Sequence, residues 1–217
     1  MLGIDPVAMA VGLGLLALLP FLAVMVTSYV KLVVVFGLLR NAMGIQQIPP
    51  NMVINSMAIL LSLFVMAPVG QAMYSNAVES GVADARSLGD LSPAKLEKAA
   101  EPLRDFLKAH SHPSMRILFL RAAAQLWGGD ESRLPDPDGL FILAPAFMLT
   151  ELTEAFQAGF LLYLPFVVVD LVISNILLAM GMMMVSPMTI SLPFKLLLFV
   201  MINGWTKVIE GLLSTYR

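Results

Sequence analysis

Residues 158–187 read AGFLLYLPFVVVDLVISNILLAMGMMMVSP, one long apolar run with a single charge, Asp170. A lone carboxylate is costly to bury in so much hydrocarbon, so it needs a cationic partner or contact with water. The run therefore predicts an apolar helix that carries one acid and whose charge must be compensated by another part of the protein or by solvent.

The run ends in three consecutive methionines, Met182, Met183 and Met184, followed shortly by Ser186 and Pro187. Successive residues of an α-helix point about 100° apart, so three adjacent side chains can share a direction only where the helix has ended. Pro187 supports such an ending, because the residue before a proline avoids the helical region. We expect the helix to end before the methionines and to present them as a flexible, apolar tip.

The composition excludes several classes of protein. The chain has 217 residues, of which 59% are hydrophobic and 13% charged, whereas globular domains are about 25% charged. This is not the composition of a soluble enzyme, and a net charge of -2 provides no basic surface for nucleic acid. The absence of cysteine excludes disulfides, thiolate metal sites and cysteine nucleophiles.

Two earlier runs, residues 6–30 and 52–74, contain no charge. The first is long enough to cross a hydrocarbon core of about 30 Å as a helix, and it lacks the positive start of a secretory signal, so we expect it to stay uncleaved. Pro49 and Pro50 separate it from the second run, and the two together predict an apolar helical hairpin.

Two residues within this hairpin interrupt its pattern. Lys31 follows the first run directly, so either its ammonium group reaches a membrane interface or the helix is not simply transmembrane. Pro68 lies inside the second run and predicts a kink or an end of that helix.

The segment 75–138 differs from the rest of the chain, because it holds eight of the thirteen Lys and Arg residues and ten of the fifteen Asp and Glu residues. Ser92 before Pro93 is a helix start signal, and it predicts an amphipathic helix to about Ala109. A second helix is predicted over residues 114–126. The pattern indicates a small, water-facing helical segment.

Candidate catalytic and metal-binding groups are few. The only histidines, His110 and His112, lie near a helix end without further ligands nearby, and this favours a solvated helix terminus over a metal site. Glu151 and Glu154, three residues apart, could serve acid and base chemistry, but a solvated helix face is the more common reason for this spacing. We predict no catalytic, cofactor-binding or metal-binding residues.

Residues 140–150 are apolar but short and contain Pro145, so we expect a helix that lies against the protein or an interface, not a membrane span. Residues 158–185 and 192–206 then form a second hairpin, with Lys195 in its returning arm. Measured from a turn at 186–188, Asp170 and Lys195 are offset by over about 10 Å along straight helices. The pair therefore fits poorly within one chain and is predicted to form between neighbouring copies.

These observations predict an all-α, membrane-associated protein with two apolar helical hairpins flanking a small soluble segment. Its divisions are residues 1–74, 75–138 and 139–217.

Two blocks of the chain resemble a known family: LLPFLAVMVTSYVKLVVVFGLLRNAMGIQQIPPN at residues 18–51, and AFQAGFLLYLPFVVVDLVISNILLAMGMMMVSP at residues 155–187. They are similar to the FliP/SctR (YscR/HrcR) family, the core export-apparatus subunit of flagellar and virulence-associated type III secretion systems. The order of hairpin, soluble segment and hairpin extends the resemblance over nearly the whole chain. The start close to the first helix looks more like the injectisome branch.

The resemblance implies a homo-oligomeric ring of about five subunits in the bacterial inner membrane, projecting to the periplasmic side. Its implied partners are two small hydrophobic export proteins, SctS/FliQ-like and SctT/FliR-like, larger export-gate and switch proteins, unfolded substrate proteins in transit, and membrane lipid, with no nucleic acid and no cofactor. Met182, Met183 and Met184 match the family's methionine-rich loop, which narrows the pore. Asp170 and Lys195 match charged positions that pair between subunits.

The residues by themselves leave an alternative open. A small multi-pass transporter could use Asp170 as a proton relay in the middle of the membrane. An intramembrane enzyme using Glu151, Glu154 or His110 is a third and more distant alternative.

Overall fold

The computed structural model describes residues 14, 17–18, 20–45, 47–83, 92–127 and 135–217. They form an all-α protein, and no strand occurs among these described residues. Residues 20–25 are helical, and a break at 26–28 separates them from the first complete helix. In the part of the chain that the structure describes, seven complete helices then follow: α1 (Tyr29–Ala42), α2 (Asn51–Glu79), α3 (Pro93–Ala109), α4 (Pro113–Leu126), α5 (Leu140–Ala179), α6 (Pro187–Met201) and α7 (Gly204–Ser214).

The two helices of the polar segment begin and end where their sequences indicate. The Ser92 side chain accepts a hydrogen bond from the Lys95 amide at the start of α3, and Pro93 occupies the first helical position. His112 caps α4 in the same way, and Pro113 follows it. Both predicted helices are therefore confirmed, and local capping is sufficient to explain their boundaries.

One proline-based prediction is wrong, and for Pro68 the predicted helix end is excluded, whereas the alternative of a kink stays a prediction. The helix α2 continues through Pro68 to Glu79 without ending there. The helix α5 runs unbroken for 40 residues through Pro145, so residues 140–150 are its first turns and not a separate short helix. A proline removes one backbone hydrogen bond, and the burial of apolar neighbours such as Leu143 and Phe147 outweighs that loss in α5.

The length and apolarity of the helices match a membrane protein. Among the described residues, α2 and α5 are long and apolar enough to cross a membrane. The pair α6 and α7 meets the same criteria together, but it bends by 61° at the break between the two helices. The 40 residues of α5 correspond to about 60 Å of helical rise, about twice the hydrocarbon thickness of about 30 Å, so α5 has more residues than one span requires.

The chain folds into two compact units. One consists of residues 1–30 and 68–150, and the other of residues 31–67 and 151–217. These units are defined by which residues pack together, whereas the three segments predicted from the sequence, 1–74, 75–138 and 139–217, are defined by their polarity. The three segments stay a prediction.

The first unit has an aromatic core between α3 and α5. Phe106 packs on Phe147 with ring centroids 5.6 Å apart. At the start of α4, the His112 amide donates to the Thr150 hydroxyl at 3.0 Å. These contacts hold the polar helices α3 and α4 against the first turns of α5.

The second unit is organised around α1, α5, α6 and α7. Trp205 of α7 contacts Phe199 of α6 edge to face at 5.4 Å and Phe36 of α1 at 6.2 Å. Gly159 of α5 lies so close to Leu38 of α1 that any Cβ there would overlap the leucine side chain. The close approach of α1 and α5 brings the charged residues of both helices together in the interior of this unit.

Candidate functional site

The methionine loop, residues 180–186, joins α5 to α6. Gly181 has a positive φ of 73°, and the amides of Gly181 and Met182 donate to the carbonyls of Leu178 and Leu177 at 3.0 and 2.9 Å. This is the hydrogen-bond pattern of a Schellman motif, which ends a helix at a glycine. The expectation that the helix ends before the methionines is therefore confirmed.

The three consecutive methionines of the loop are solvent-exposed in the single chain, as is Met180 at its start. The exposed fractions are 40% for Met182, 82% for Met183 and 99% for Met184. Because Pro187 starts α6 directly after Ser186, the loop is short and held between two helix ends. It displays a compact cluster of flexible, polarizable side chains at the end of a hairpin.

Asp170 and Lys195 form an ion pair within one chain. The Lys195 Nζ lies 2.6 Å from the Asp170 Oδ2, and the Ser191 hydroxyl donates to the other carboxylate oxygen at 2.6 Å. Lys195 also donates to the Ala42 carbonyl at 3.2 Å. The prediction that this pair fits poorly inside one hairpin is wrong.

The error came from the position assumed for the turn. We placed it at 186–188, but α5 ends at Ala179 and α6 begins at Pro187. Asp170 then lies nine residues before one helix end and Lys195 eight residues after the other, or about 13 and 12 Å of helical rise. The two side chains therefore occupy the same depth. A contact between subunits is not tested by one chain and stays a prediction.

A second charge cluster was not predicted. Lys31 of α1 lies 2.8 Å from the Glu151 Oε1 and 2.7 Å from the Glu154 Oε2. The side chains of Lys31 and Glu151 are only 2% and 1% exposed, whereas Glu154 is 46% exposed. Glu151 is therefore not part of a solvated helix face, and Lys31 does not reach towards an interface. The solvated-face prediction is therefore wrong for Glu151, and of the two alternatives for Lys31 the interface is excluded, which leaves a helix that is not simply transmembrane.

The sequence does contain a signal for this cluster. Glu151 and Glu154 are one helical turn apart and share a face, and Lys31 is a lone cation between apolar stretches. An unpaired buried charge is expensive, so a lone cation and two acids in apolar surroundings are natural partners. Only the packing of α1 on α5 shows which of them meet.

The remaining candidates have ordinary structural roles. The His110 imidazole contacts the Phe106 carbonyl at 2.9 Å, and the His112 imidazole contacts the Ser114 hydroxyl at 2.8 Å. No group of three or more potential metal ligands occurs in the described part of the chain. The carboxylates of Glu151 and Glu154 are both bound to Lys31.

Comparison with known proteins identifies the family. The model of the FliP family matches residues 13–212. The chain belongs to the FliP family. This match covers 200 of the 217 residues.

Several FliP-family relatives are similar over almost their whole length. "Yop proteins translocation protein R" of Yersinia pestis is 53% identical over 214 residues, which are 98% of this chain and 97% of that protein. "Hypersensitivity response secretion protein HrcR" of Ralstonia nicotianae is 51% identical over 203 residues, 93% of each chain. "Virulence protein YscR" of Salmonella typhimurium is 47% identical over 207 residues, 94% of each. These relatives place this FliP-family chain in the injectisome branch, as the resemblance implied.

Proposed function

We propose that this protein is a subunit of a type III secretion export gate, in which several copies surround a channel for unfolded substrate proteins. The FliP-family membership and the relatives named as secretion and translocation proteins support a component of the export apparatus. The membrane-type helices support a membrane location. The proposed site is the bacterial inner membrane, with a projection to the periplasmic side as the family resemblance implies; the length of α5, more than one span requires, is compatible with such a projection.

The exposed methionine loop is the observation that carries the channel proposal. We propose that Met182, Met183 and Met184 of each copy meet at the axis of a ring of about five subunits and form a gasket. Methionine side chains are unbranched and flexible, so such a ring would close around water and ions yet deform around a passing polypeptide of any sequence. No chemical step is required of the protein, and the proposed role is not enzymatic.

The proposed assembly includes other proteins. Its partners are the two small hydrophobic export proteins, SctS/FliQ-like and SctT/FliR-like, together with larger export-gate and switch proteins. The large exposed apolar side chains of α5, among them Phe160 and Leu161, favour coverage by neighbouring subunits or lipid.

The Asp170 carboxylate is proposed to remain at a subunit boundary. Its side chain is 38% exposed, whereas that of Lys195 is 4% exposed, so Asp170 has an open side towards a neighbour. The alternative function, a transporter with Asp170 as a proton relay, is less favoured, because Lys195 and Ser191 already bind both carboxylate oxygens.

The gasket is tested by ion conductance of membranes that contain the complete export apparatus. Replacing Met182, Met183 and Met184 together by Ala is expected to cause an ion leak, because shorter side chains leave the axis open. Replacement by Leu, which preserves apolar volume, is expected to leak less. A matched control replaces Met52 and Met201, which are similarly exposed on helices, by Ala and should not leak.

Two results would overturn this proposal. A triple alanine variant that assembles normally and stays as impermeable as the wild type would exclude the gasket. Solute uptake by a purified single chain in vesicles, abolished by Asp170→Asn, would favour the transporter.

A further inference from the structure

The residues that follow α7 turn back onto the buried Lys31 cluster. The Tyr216 hydroxyl donates a hydrogen bond to the Glu151 Oε2, and the Lys31 Nζ lies 4.5 Å from the centroid of the Tyr216 ring. The Thr215 hydroxyl oxygen is 3.4 Å from the Lys31 Nζ. Both residues therefore contact a charge pair whose other members belong to α1 and α5.

These contacts complete the hydrogen bonding of the pair. An ammonium group has three protons to donate, and Lys31 has three acceptors, one each on Glu151, Glu154 and Thr215. Lys31 uses the Oε1 of Glu151, which leaves the Oε2 to Tyr216. Without Thr215 and Tyr216, one proton and one carboxylate oxygen of a buried pair would each lose a partner, and such a loss is expensive.

Tyr216 is suited to be a permanent donor. Burial raises the pKa of its phenol well above the ordinary value, so the hydroxyl stays protonated at any physiological pH. The bond to a carboxylate is charge-assisted and therefore stronger than a bond between neutral groups. Its ring also places a π face beside the Lys31 cation.

The chain bends sharply between α6 and α7, the helix that precedes these contacts. Asn203 adopts a left-handed conformation with φ 52°, which L-residues other than Gly rarely adopt without stabilising contacts, and α7 departs from α6 by 61°. At the start of α7, a Cβ on Gly204 would overlap the Phe199 ring. The start of α7 is therefore held by aromatic packing, and its far end by Thr215 and Tyr216.

We propose that Thr215 and Tyr216 form a latch that holds α7 in its bent position by completing the hydrogen bonds of the Lys31–Glu151 pair. Loss of the latch removes the polar contacts that hold the far end of α7 at the 61° bend, while aromatic packing still holds its start; α6 and α7 together have the length and apolarity of one membrane span. The latch is a property of the folded chain and does not depend on the proposed gasket or channel.

Hydrogen exchange of the α7 backbone amides tests the latch in the full chain, purified in detergent in the assembly that it forms. Tyr216→Phe removes the donor but keeps the ring, and we expect about ten- to hundredfold faster exchange in α7, as loss of one hydrogen bond to a charged group implies. In the Tyr216→Leu variant, which also removes the ring, the α7 amides should exchange faster still. The matched control is Tyr163→Phe, because Tyr163 is 42% exposed on α5, and it should leave α7 unchanged.

A second measurement separates the latch from a general loss of stability. In a Glu151→Gln background the charged acceptor is absent, so adding Tyr216→Phe should change exchange in α7 by much less than it does in the wild type. Exchange in α3 and α4 should stay unchanged in Tyr216→Phe. Unchanged α7 exchange in Tyr216→Phe, an equal effect in both backgrounds, or uniform acceleration along the whole chain would each overturn the latch.

Discussion

Replacing Lys31 by Met is the most direct test of the buried cluster. Methionine preserves most of the apolar stem and removes only the cation, so Glu151, 1% exposed, would lose its ammonium partner and would have to stay charged and unpaired or take up a proton. Breaking a buried pair from one side costs about 3–5 kcal/mol. Loss of the contact between Lys31 and Glu154 adds under about 1 kcal/mol to this cost in unfolding free energy, because the Glu154 carboxylate is 46% exposed and solvated.

The assay is thermal unfolding of the full chain in detergent, followed by the fluorescence of its two tryptophans. For a chain of 150–250 residues, about 1 kcal/mol corresponds to about 2–4 °C in Tm. Lys31→Met should therefore lower Tm by about 6–20 °C, and Glu154→Gln by no more than about 4 °C.

The control is Lys98→Met, because the Lys98–Glu79 pair is 3.6 Å apart and both side chains are mostly exposed. Its effect should stay within about 0.5 kcal/mol. The double variant Lys31→Met with Glu151→Gln should recover part of the lost Tm, since no buried charge then lacks a partner. A Tm for Lys31→Met equal to that of Lys98→Met would refute the reasoning, and so would a double variant less stable than the single one.

Three further predictions concern packing, capping and pH. Gly159→Ala should destabilise the chain by about 1–3 kcal/mol in thermal unfolding, through overlap with Leu38; if adding Leu38→Ala does not relieve this loss, the overlap is not its cause. Ser92→Ala should cost about 1 kcal/mol through loss of the α3 cap, and unchanged exchange in the first turn of α3 would contradict this. The Lys108 hydrogen bond lowers the pKa of Asp138, so its small stabilising contribution is present above the unfolded pKa and is lost as pH falls through the folded pKa. Asp138→Asn should remove that part of the pH dependence, and acid titration curves identical for the two proteins would contradict it.

The local elements were the most predictable part of the fold. A helix start such as Ser92–Pro93 depends on hydrogen bonds within a few residues, so its residue types alone indicate it. The end of α5 is similarly local, because Gly181 allows the left-handed turn that the Schellman pattern requires. Local rules failed at Pro145 and did not distinguish a kink from an end at Pro68, because the apolar surroundings of a helix decide whether a proline ends it.

The candidate site was predictable in part. The methionine loop and the pair of Asp170 and Lys195 were identified from the sequence and the family resemblance. The matching depth of Asp170 and Lys195 along their helices was not predicted, because it depends on where the two helices end. The Lys31 cluster was missed altogether, since Lys31 is separated from Glu151 and Glu154 by more than a hundred residues.

The amino-acid sequence by itself determined the all-α class, the long apolar helices and the polar composition of the central segment, which follow from composition, from periodicity and from motifs that act over short distances. The family was indicated by the two blocks of sequence that resemble it. Only the tertiary structure decided that Asp170 binds Lys195 inside one chain and that Lys31 binds Glu151 and Glu154. The physical reason is that a buried charge is stabilised by whichever opposite charge the packing brings within about 3 Å, and packing depends on helix lengths, bends and close approaches distributed over the whole chain.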